Sequence, residues 1–212
     1  MADHPMKRLT GKAALKTGAA SGISFEEATR NNFGPISRCL ARAFYDDPTS
    51  LFLFPHDNTR MDDLENMYLF VLHEFSSHGV VYVEDSVHGA AVWQAPSPPK
   101  SGSDEELLSM LPETALPRLG LLGGVMAEAH IHEPHWYLAA IGTEPSHQGQ
   151  GIGTAILGPI LDQCDQSQLP AYLESSKESN IPFYERLGFR VTGELQVPDG
   201  PKLWPMLREP GK

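Results

Sequence analysis

The chain has 212 residues, which suffices for one well-buried domain and is short for two of typical size. Its formal net charge of −11 disfavours a nucleic-acid partner, because phosphate binding needs a basic surface, and it favours a cationic small molecule. With two cysteines and no continuous apolar segment of membrane-spanning length, the chain is expected to be soluble and cytoplasmic, without a membrane partner.

Residues 1–22 are predicted to be an N-terminal extension that could be mobile, ahead of a domain at 23–210. The stretch at 9–24 reads LTGKAALKTGAASGIS and resembles the cofactor turn of short-chain dehydrogenases. Ser24 stands where the third glycine of that turn belongs, and no tyrosine is followed four residues later by the lysine that this chemistry needs. An NAD(P)-dependent dehydrogenase is therefore the least favoured alternative.

The N-terminal half of the domain is predicted to open with a strand at 24–30 and a helix that ends before Asp47. A second helix is expected from about Thr59 to Gly79, because apolar residues recur there at helical spacing. Strands at 80–84 and 89–95 follow, then a proline- and serine-rich loop at 96–104 and helical segments through about His130.

The C-terminal half is predicted to alternate strands and helices. HWYLAAIG at 135–142 is an apolar strand, and the helix after it, Thr154–Cys164, is expected to bend at Pro159, which lacks a backbone donor. AYLES at 171–175 is another strand, and NIPFYERLG is a short helix closed by Gly188. The segments 189–197 and 202–207 are expected to be closing strands.

The loop HQGQGIG at 147–153 joins the apolar strand to the helix. Small residues before a helix let successive backbone N–H groups converge on an anion such as a diphosphate, although a plain turn is equally compatible with the pattern. The loop lacks the lysine of a P-loop, and its glycines do not have the spacing of a dinucleotide turn.

Gln148-x-x-Gly151-x-Gly153 resembles the acyl-CoA pyrophosphate loop of the GNAT N-acetyltransferase superfamily. NIPFYERLGF at 180–189 is similar to the closing motif of that superfamily, and the two motifs occur in the expected order. The pattern is nearest to puromycin N-acetyltransferase and its relatives. The similarity is close after residue 134 and weak before it. The resemblance implies a single α/β domain whose mixed, mostly antiparallel twisted sheet has a splayed pair of central strands and flanking helices.

The same resemblance implies acetyl-CoA as co-substrate and assigns most of the site. Tyr184 would donate a proton to the leaving thiolate, and Glu174, on the next strand, is a candidate general base. Tyr45 and Trp93 could shape the acceptor pocket, although core packing is the commoner role of a strand tryptophan. The cofactor contacts are expected from Ile141, Gly142, Thr143, Gln148, Gly149, Gln150, Gly151, Ile152, Gly153, Thr154, Asn180 and Phe183.

The histidine-rich segment HIHEPH at 130–135 is interpreted as a polar connector, and no metal is expected. The function predicted is acetylation of a primary amine on a small molecule, an aminonucleoside or another antibiotic, by direct attack in a ternary complex. A protein or peptide N-acetyltransferase and a non-catalytic acyl-CoA-binding module remain open, as do a monomer and a homodimer.

Overall fold

A computed structural model of the chain describes residues 16–17, 22–96, 109 and 111–211. The predicted extension at 1–22 and the loop at 96–104 therefore lie almost wholly outside the described residues. None of the helices in the described part combines the length and the apolarity that a bilayer crossing needs.

The described strands form one mixed sheet that is antiparallel apart from a single pair. The strands are β1 (Lys16–Thr17), β2 (Ser24–Glu27), β3 (Gly79–Glu84), β4 (Gly89–Gln94), β5 (Trp136–Thr143), β6 (Ala171–Ser175), β7 (Arg190–Val191), β8 (Leu195–Gln196) and β9 (Lys202–Arg208). In space their order is β1-β2-β3-β4-β5-β6-β9-β7, with β8 paired to β9.

The parallel pair β5 and β6 separates soon after it forms. Trp136 pairs with Ala171 and Tyr137 with Tyr172, but no later residue of β5 pairs with β6. On its other side β5 stays paired with β4 as far as Thr143, across a register shift at Val92 and Trp93. One edge of β5 beyond Tyr137 is therefore open inside the sheet, as the predicted splay requires.

Helices cover both faces of the sheet. The helices are α1 (Phe33–Ala43), α2 (Pro48–Leu53), α3 (Asp57–Ser76), α4 (Leu116–Ala129), α5 (Ile152–Ser167) and α6 (Ile181–Glu185). The helices predicted before Asp47, from about Thr59 and at Thr154–Cys164 correspond to α1, α3 and α5, with slightly different ends. Pro159 lies inside α5, where it removes one intrahelical hydrogen bond.

Two apolar cores lie on opposite faces of the sheet. On one face α1 and α3 pack through residues such as Leu40 and Leu64, both fully buried. On the other, α5, with Ile156 and Ile160 buried, packs against β3, β4 and β5, and α6 adds Tyr184. Burial of one such aliphatic side chain contributes about 1.5–3 kcal/mol, so these cores fix the helices that border the splayed strands.

Candidate functional site

A cleft of about 450 Å³ opens where β5 and β6 separate. Its floor is the open edge of β5, and its rim is the loop before α5 on one side and α6 on the other. Nearly all the predicted cofactor contacts line it: Ile141, Gly142, Thr143, Gln148, Gly149, Gly151, Ile152, Gly153, Thr154, Asn180 and Phe183.

The loop before α5 has the backbone conformation that an anion site needs. Gly149 and Gly151 have φ of 74° and 87°, in the left-handed region that favours glycine. Gly151 is the N-cap of α5, and its carbonyl accepts the first helical hydrogen bond, from the Ala155 amide at 3.0 Å. The amides of 152–154 in the first turn have no carbonyl to bond within the helix and are available to a ligand.

The charges around this loop also suit an anion. Arg186 and His147 both line the cleft, and the first turn of α5 has no acidic residue. Arg186 is not among the predicted contacts. The sequence signal that could have identified it is its position four residues after Pro182, inside the ERLG segment of the closing motif. A diphosphate fits the cleft on charge and on backbone geometry.

One predicted contact of the loop is placed differently from expectation. Gln150 lines a neighbouring pocket, with Ser24 and His88, and not the cleft itself. Gly153 lines the cleft as expected, and a Cβ at this position would also lie 3.3 Å from Cζ of Phe183. Packing against α6 is therefore a second reason for a glycine there.

Asn180 precedes α6 and lines the cleft. It occupies the N-cap position, yet its side chain makes no capping hydrogen bond. Its side chain is therefore placed for the predicted ligand contact.

Tyr184 lies in α6 with 7% of its surface exposed, and its side chain lines the cleft. Phe183 and Phe189 pack edge-on against its ring. Burial, and secondarily the negative charge of Asp47, raise the pKa of the Tyr184 phenol well above its ordinary value. The phenol therefore stays protonated throughout the neutral range and can donate.

Two carboxylates in the loop after α1, those of Asp46 and Asp47, bond to residues just after β6, and we call these contacts the Asp46–Asp47 latch. Asp47 is 2% exposed, accepts hydrogen bonds from Ser176 Oγ at 2.6 Å and the Thr49 amide at 2.9 Å, and caps α2. Next to it, Asp46 forms an ion pair with Lys177 at 2.7 Å. Sequence reasoning missed this latch, because its two halves are far apart in the chain.

Glu174 lies on the face of the sheet that α1 and α3 cover, two residues beyond the last β5–β6 pair. Its side chain is 1% exposed, and within the described part of the chain no donor meets hydrogen-bond geometry at either carboxylate oxygen. The phenols of Tyr137 and Tyr172 lie close by: burial raises their pKa values, and the charge of Glu174 raises them further. Such an orphaned buried carboxylate is rare and calls for a functional explanation.

The HIHEPH segment connects α4 to β5, as interpreted, but two of its histidines contact each other. His130 Nε2 and His135 Nε2 are 3.1 Å apart, and His130 Nδ1 lies 3.7 Å from Oε1 of Glu174. The part of the chain that the structure describes contains no group of three or more candidate ligands arranged for a metal ion.

The two predicted acceptor-pocket residues lie outside the cleft. Tyr45 packs against the α1–α3 core, with Arg60 over its ring at 5.1 Å. Trp93 is 0% exposed in the core beneath α5, and its Nε1 has no hydrogen-bond partner among the described residues. Its placement matches the core-packing alternative and leaves no surface for contact with an acceptor.

The profile of the Acetyltransferase (GNAT) family matches residues 41–189. An uncharacterised N-acetyltransferase of Schizosaccharomyces pombe is 29% identical over 192 residues, covering 81% of this chain and 77% of its own length.

Two solved structures share the fold over most of the chain. A histone acetyltransferase HPA2 and related acetyltransferase from Corynebacterium glutamicum superposes with a TM-score of 0.69 at 27% identity, over 89% of this chain and 96% of its own. Arylalkylamine N-acetyltransferase 2 of Aedes aegypti superposes with a TM-score of 0.60 at 13% identity, over 89% and 99%.

Proposed function

Because the chain belongs to the GNAT family of acetyltransferases, we propose that it transfers an acetyl group from acetyl-CoA to a primary amine on a small molecule. The observation that carries the proposal is the cleft at the splayed strands, which joins an anion-binding helix terminus to a protonated phenol. Acetyl-CoA would supply an activated thioester carbonyl, and the chain supplies the binding groups and the proton transfers.

Binding would use backbone groups on two elements. The first-turn amides of α5, with Arg186 beside them, would hold the diphosphate. The open edge of β5 at Ile141, Gly142 and Thr143 would pair with the amide groups of the pantetheine arm, in the place that a neighbouring strand would otherwise fill. A backbone N–H near Ile141 would stabilise the developing oxyanion.

The proton transfers would be made from opposite faces of the sheet. Tyr184 Oη, on the α5 side, would donate to the thiolate as its bond to carbon breaks. Glu174, on the α1–α3 side, would take the proton that the amine loses as its bond to the acetyl carbon forms. Tyr45 would affect acceptor binding only indirectly, because it directly precedes Asp46 and Asp47, which bond to the residues after β6.

A small acceptor is favoured over a protein by the enclosure of Glu174. Its carboxylate is 1% exposed and walled by Tyr137, Tyr172 and the two histidines, an arrangement unlike an open peptide groove. The net charge of −11 favours a cationic amine. An aminonucleoside antibiotic is the first acceptor to test, because the C-terminal half resembles puromycin N-acetyltransferase.

The proposal is tested by thiol release from acetyl-CoA with three acceptors: an aminonucleoside, an arylalkylamine and a lysine-containing peptide. We expect release with at least one small amine and an acetylated product of the corresponding mass. Turnover with the peptide alone would make the chain a protein acetyltransferase. A melting temperature raised by CoA without thiol release from any acceptor would make it a binding module, and stabilisation by NAD(P) instead of CoA would indicate a dehydrogenase.

A further inference from the structure

The cluster of His130 and His135 beside Glu174 has a hydrogen-bond pattern that determines where its protons lie. His135 Nδ1 is 2.7 Å from the Glu133 carbonyl oxygen. A carbonyl can only accept, so His135 Nδ1 carries a proton and donates it. In the neutral ring, His135 Nε2 is therefore an acceptor.

The same reasoning extends to the second ring. His130 Nε2 lies 3.1 Å from His135 Nε2, and because the latter accepts, His130 Nε2 must donate. The lone pair of neutral His130 is then on Nδ1, which faces Glu174 Oε1 at 3.7 Å. A carboxylate and an imidazole lone pair therefore face each other, and the position between them can receive one proton.

Glu174 also needs a route by which a proton can leave. Its side chain is 1% exposed, whereas that of His130 is 35% exposed and His135 is half-buried at the surface. A base enclosed to this degree cannot return its proton directly to bulk water between turnovers. His130 both faces Glu174 and is exposed to solvent, and its hydrogen bond to His135 holds the ring in this position.

We propose that Glu174, His130 and His135 form a proton relay that carries the proton lost by the acceptor amine to solvent. This inference rests on the proposed function. The proton passes from the amine to the Glu174 carboxylate and on to His130 Nδ1. The His130 imidazolium, held by the hydrogen bond that its Nε2–H donates to His135 Nε2, then returns the Nδ1 proton to water, which restores the starting tautomers. No oxidant or further reactant is needed, and His130 and His135 act as positioning residues because they act through Glu174.

The groups around the two histidines favour release of the proton over its retention. The groups that face the histidines are Glu174 and Tyr172 from β6, Tyr137 from β5 and Glu133 from the connector. Burial lowers the pKa of His135, with the positive charge of His130 as a lesser cause of the same sign. His135 therefore stays neutral and keeps the Nε2 lone pair that accepts from His130.

The first test is the pH profile of acetyl transfer in three single variants. His130→Gln and His135→Gln should lower kcat about 10²-fold near pH 7. The loss should shrink towards alkaline pH, where the amine is already neutral. His132→Gln, an exposed histidine of the same segment, is the matched control and should follow the wild type. A loss in the two variants that is equal at every pH would show a structural role and overturn the relay.

The second test needs no turnover. In long-range ¹H–¹⁵N spectra of the ligand-free protein, neutral His135 should be the Nδ1–H tautomer and neutral His130 the Nε2–H tautomer. An Nε2–H tautomer of His135, or an Nδ1–H tautomer of His130, would overturn the relay. A wild type that binds CoA but acetylates no amine would instead refute the proposed function, so the two failures are distinguishable.

Discussion

Tyr184 and Glu174 are both enclosed, but the groups around them differ in chemistry. Tyr184 is surrounded by aromatic rings and borders the cleft, which keeps its phenol neutral. Glu174 is surrounded by phenols and imidazoles, which can exchange protons with it. The two side chains therefore suit opposite roles, one as proton donor and the other as proton acceptor.

The donor role of Tyr184 is tested by Tyr184→Phe. We expect turnover to fall about 10²-fold with CoA affinity within about twofold, because the hydroxyl acts on the departing thiolate and contributes little to ground-state binding. Tyr68→Phe, which alters another buried tyrosine away from the cleft, is the control for the loss of a buried hydroxyl. Wild-type turnover in Tyr184→Phe would remove this residue from the acid role.

At the scale of elements, α5 is both a core helix and the anion site. Its first turn faces the cleft, while Ile156 and Ile160 further along anchor it to the sheet. The left-handed conformation at Gly151 gives the chain the direction it needs to enter the helix. Loop geometry and helix position are consequently linked.

This link is tested by a pair of glycine substitutions in the same region. Gly151→Ala places a Cβ at φ of 87° and should cost about 1 kcal/mol of stability and weaken CoA binding at least tenfold. Gly158→Ala, inside α5, gains helix propensity but places its Cβ beside the ring of Pro159, so it should change stability little and leave CoA affinity unchanged. Chemical denaturation and calorimetric titration with CoA measure both effects, and equal CoA affinities in the two variants would contradict the assignment.

The sequence predicted those elements whose signals are local. Apolar periodicity located α1 and α3, and the glycine spacing located the loop before α5. The six-residue helix α2 is not predicted, because Asp47-Pro48 marks the end of the preceding helix, although an acidic N-cap followed by proline also begins a helix. Glu174 was identified as a candidate, but its histidine neighbours were not, since only the fold brings the end of α4 beside β6.

At the scale of the whole molecule, the last strand is fastened to α5 by a bidentate ion pair. The two terminal guanidinium nitrogens of Arg208, Nη1 and Nη2, each lie 2.8 Å from a carboxylate oxygen of Asp165. The Gly211 amide donates to the same carboxylate. These donors hold the pKa of Asp165 below its ordinary value. The pair joins the C-terminal end of the chain to the helix that carries the cofactor loop.

Asp165→Asn should lower the free energy of unfolding at pH 7 by about 1 kcal/mol, a modest value because the carboxylate is partly solvated. Because the folded-state pKa of Asp165 is lowered, its contribution is complete above about pH 5 and is lost as the pH falls through the unfolded and then the folded pKa. Urea unfolding at pH 7 and pH 3 should show a smaller deficit at pH 3 than at pH 7. Asp62→Asn, an exposed carboxylate on α3, is the charge-matched control; a deficit equal at both pH values would contradict the assignment.

The open flank of β5 leaves a row of peptide groups without strand partners in the middle of a sheet. Such a row can template the addition of a foreign strand, which is the hazard that exposed sheet edges present to any β-containing protein. A bound pantetheine arm would cap these groups, so the ligand would act as a protective covering as well as a reactant. Amide exchange at 139–143 should slow when CoA is added, and self-association on storage should be faster in its absence.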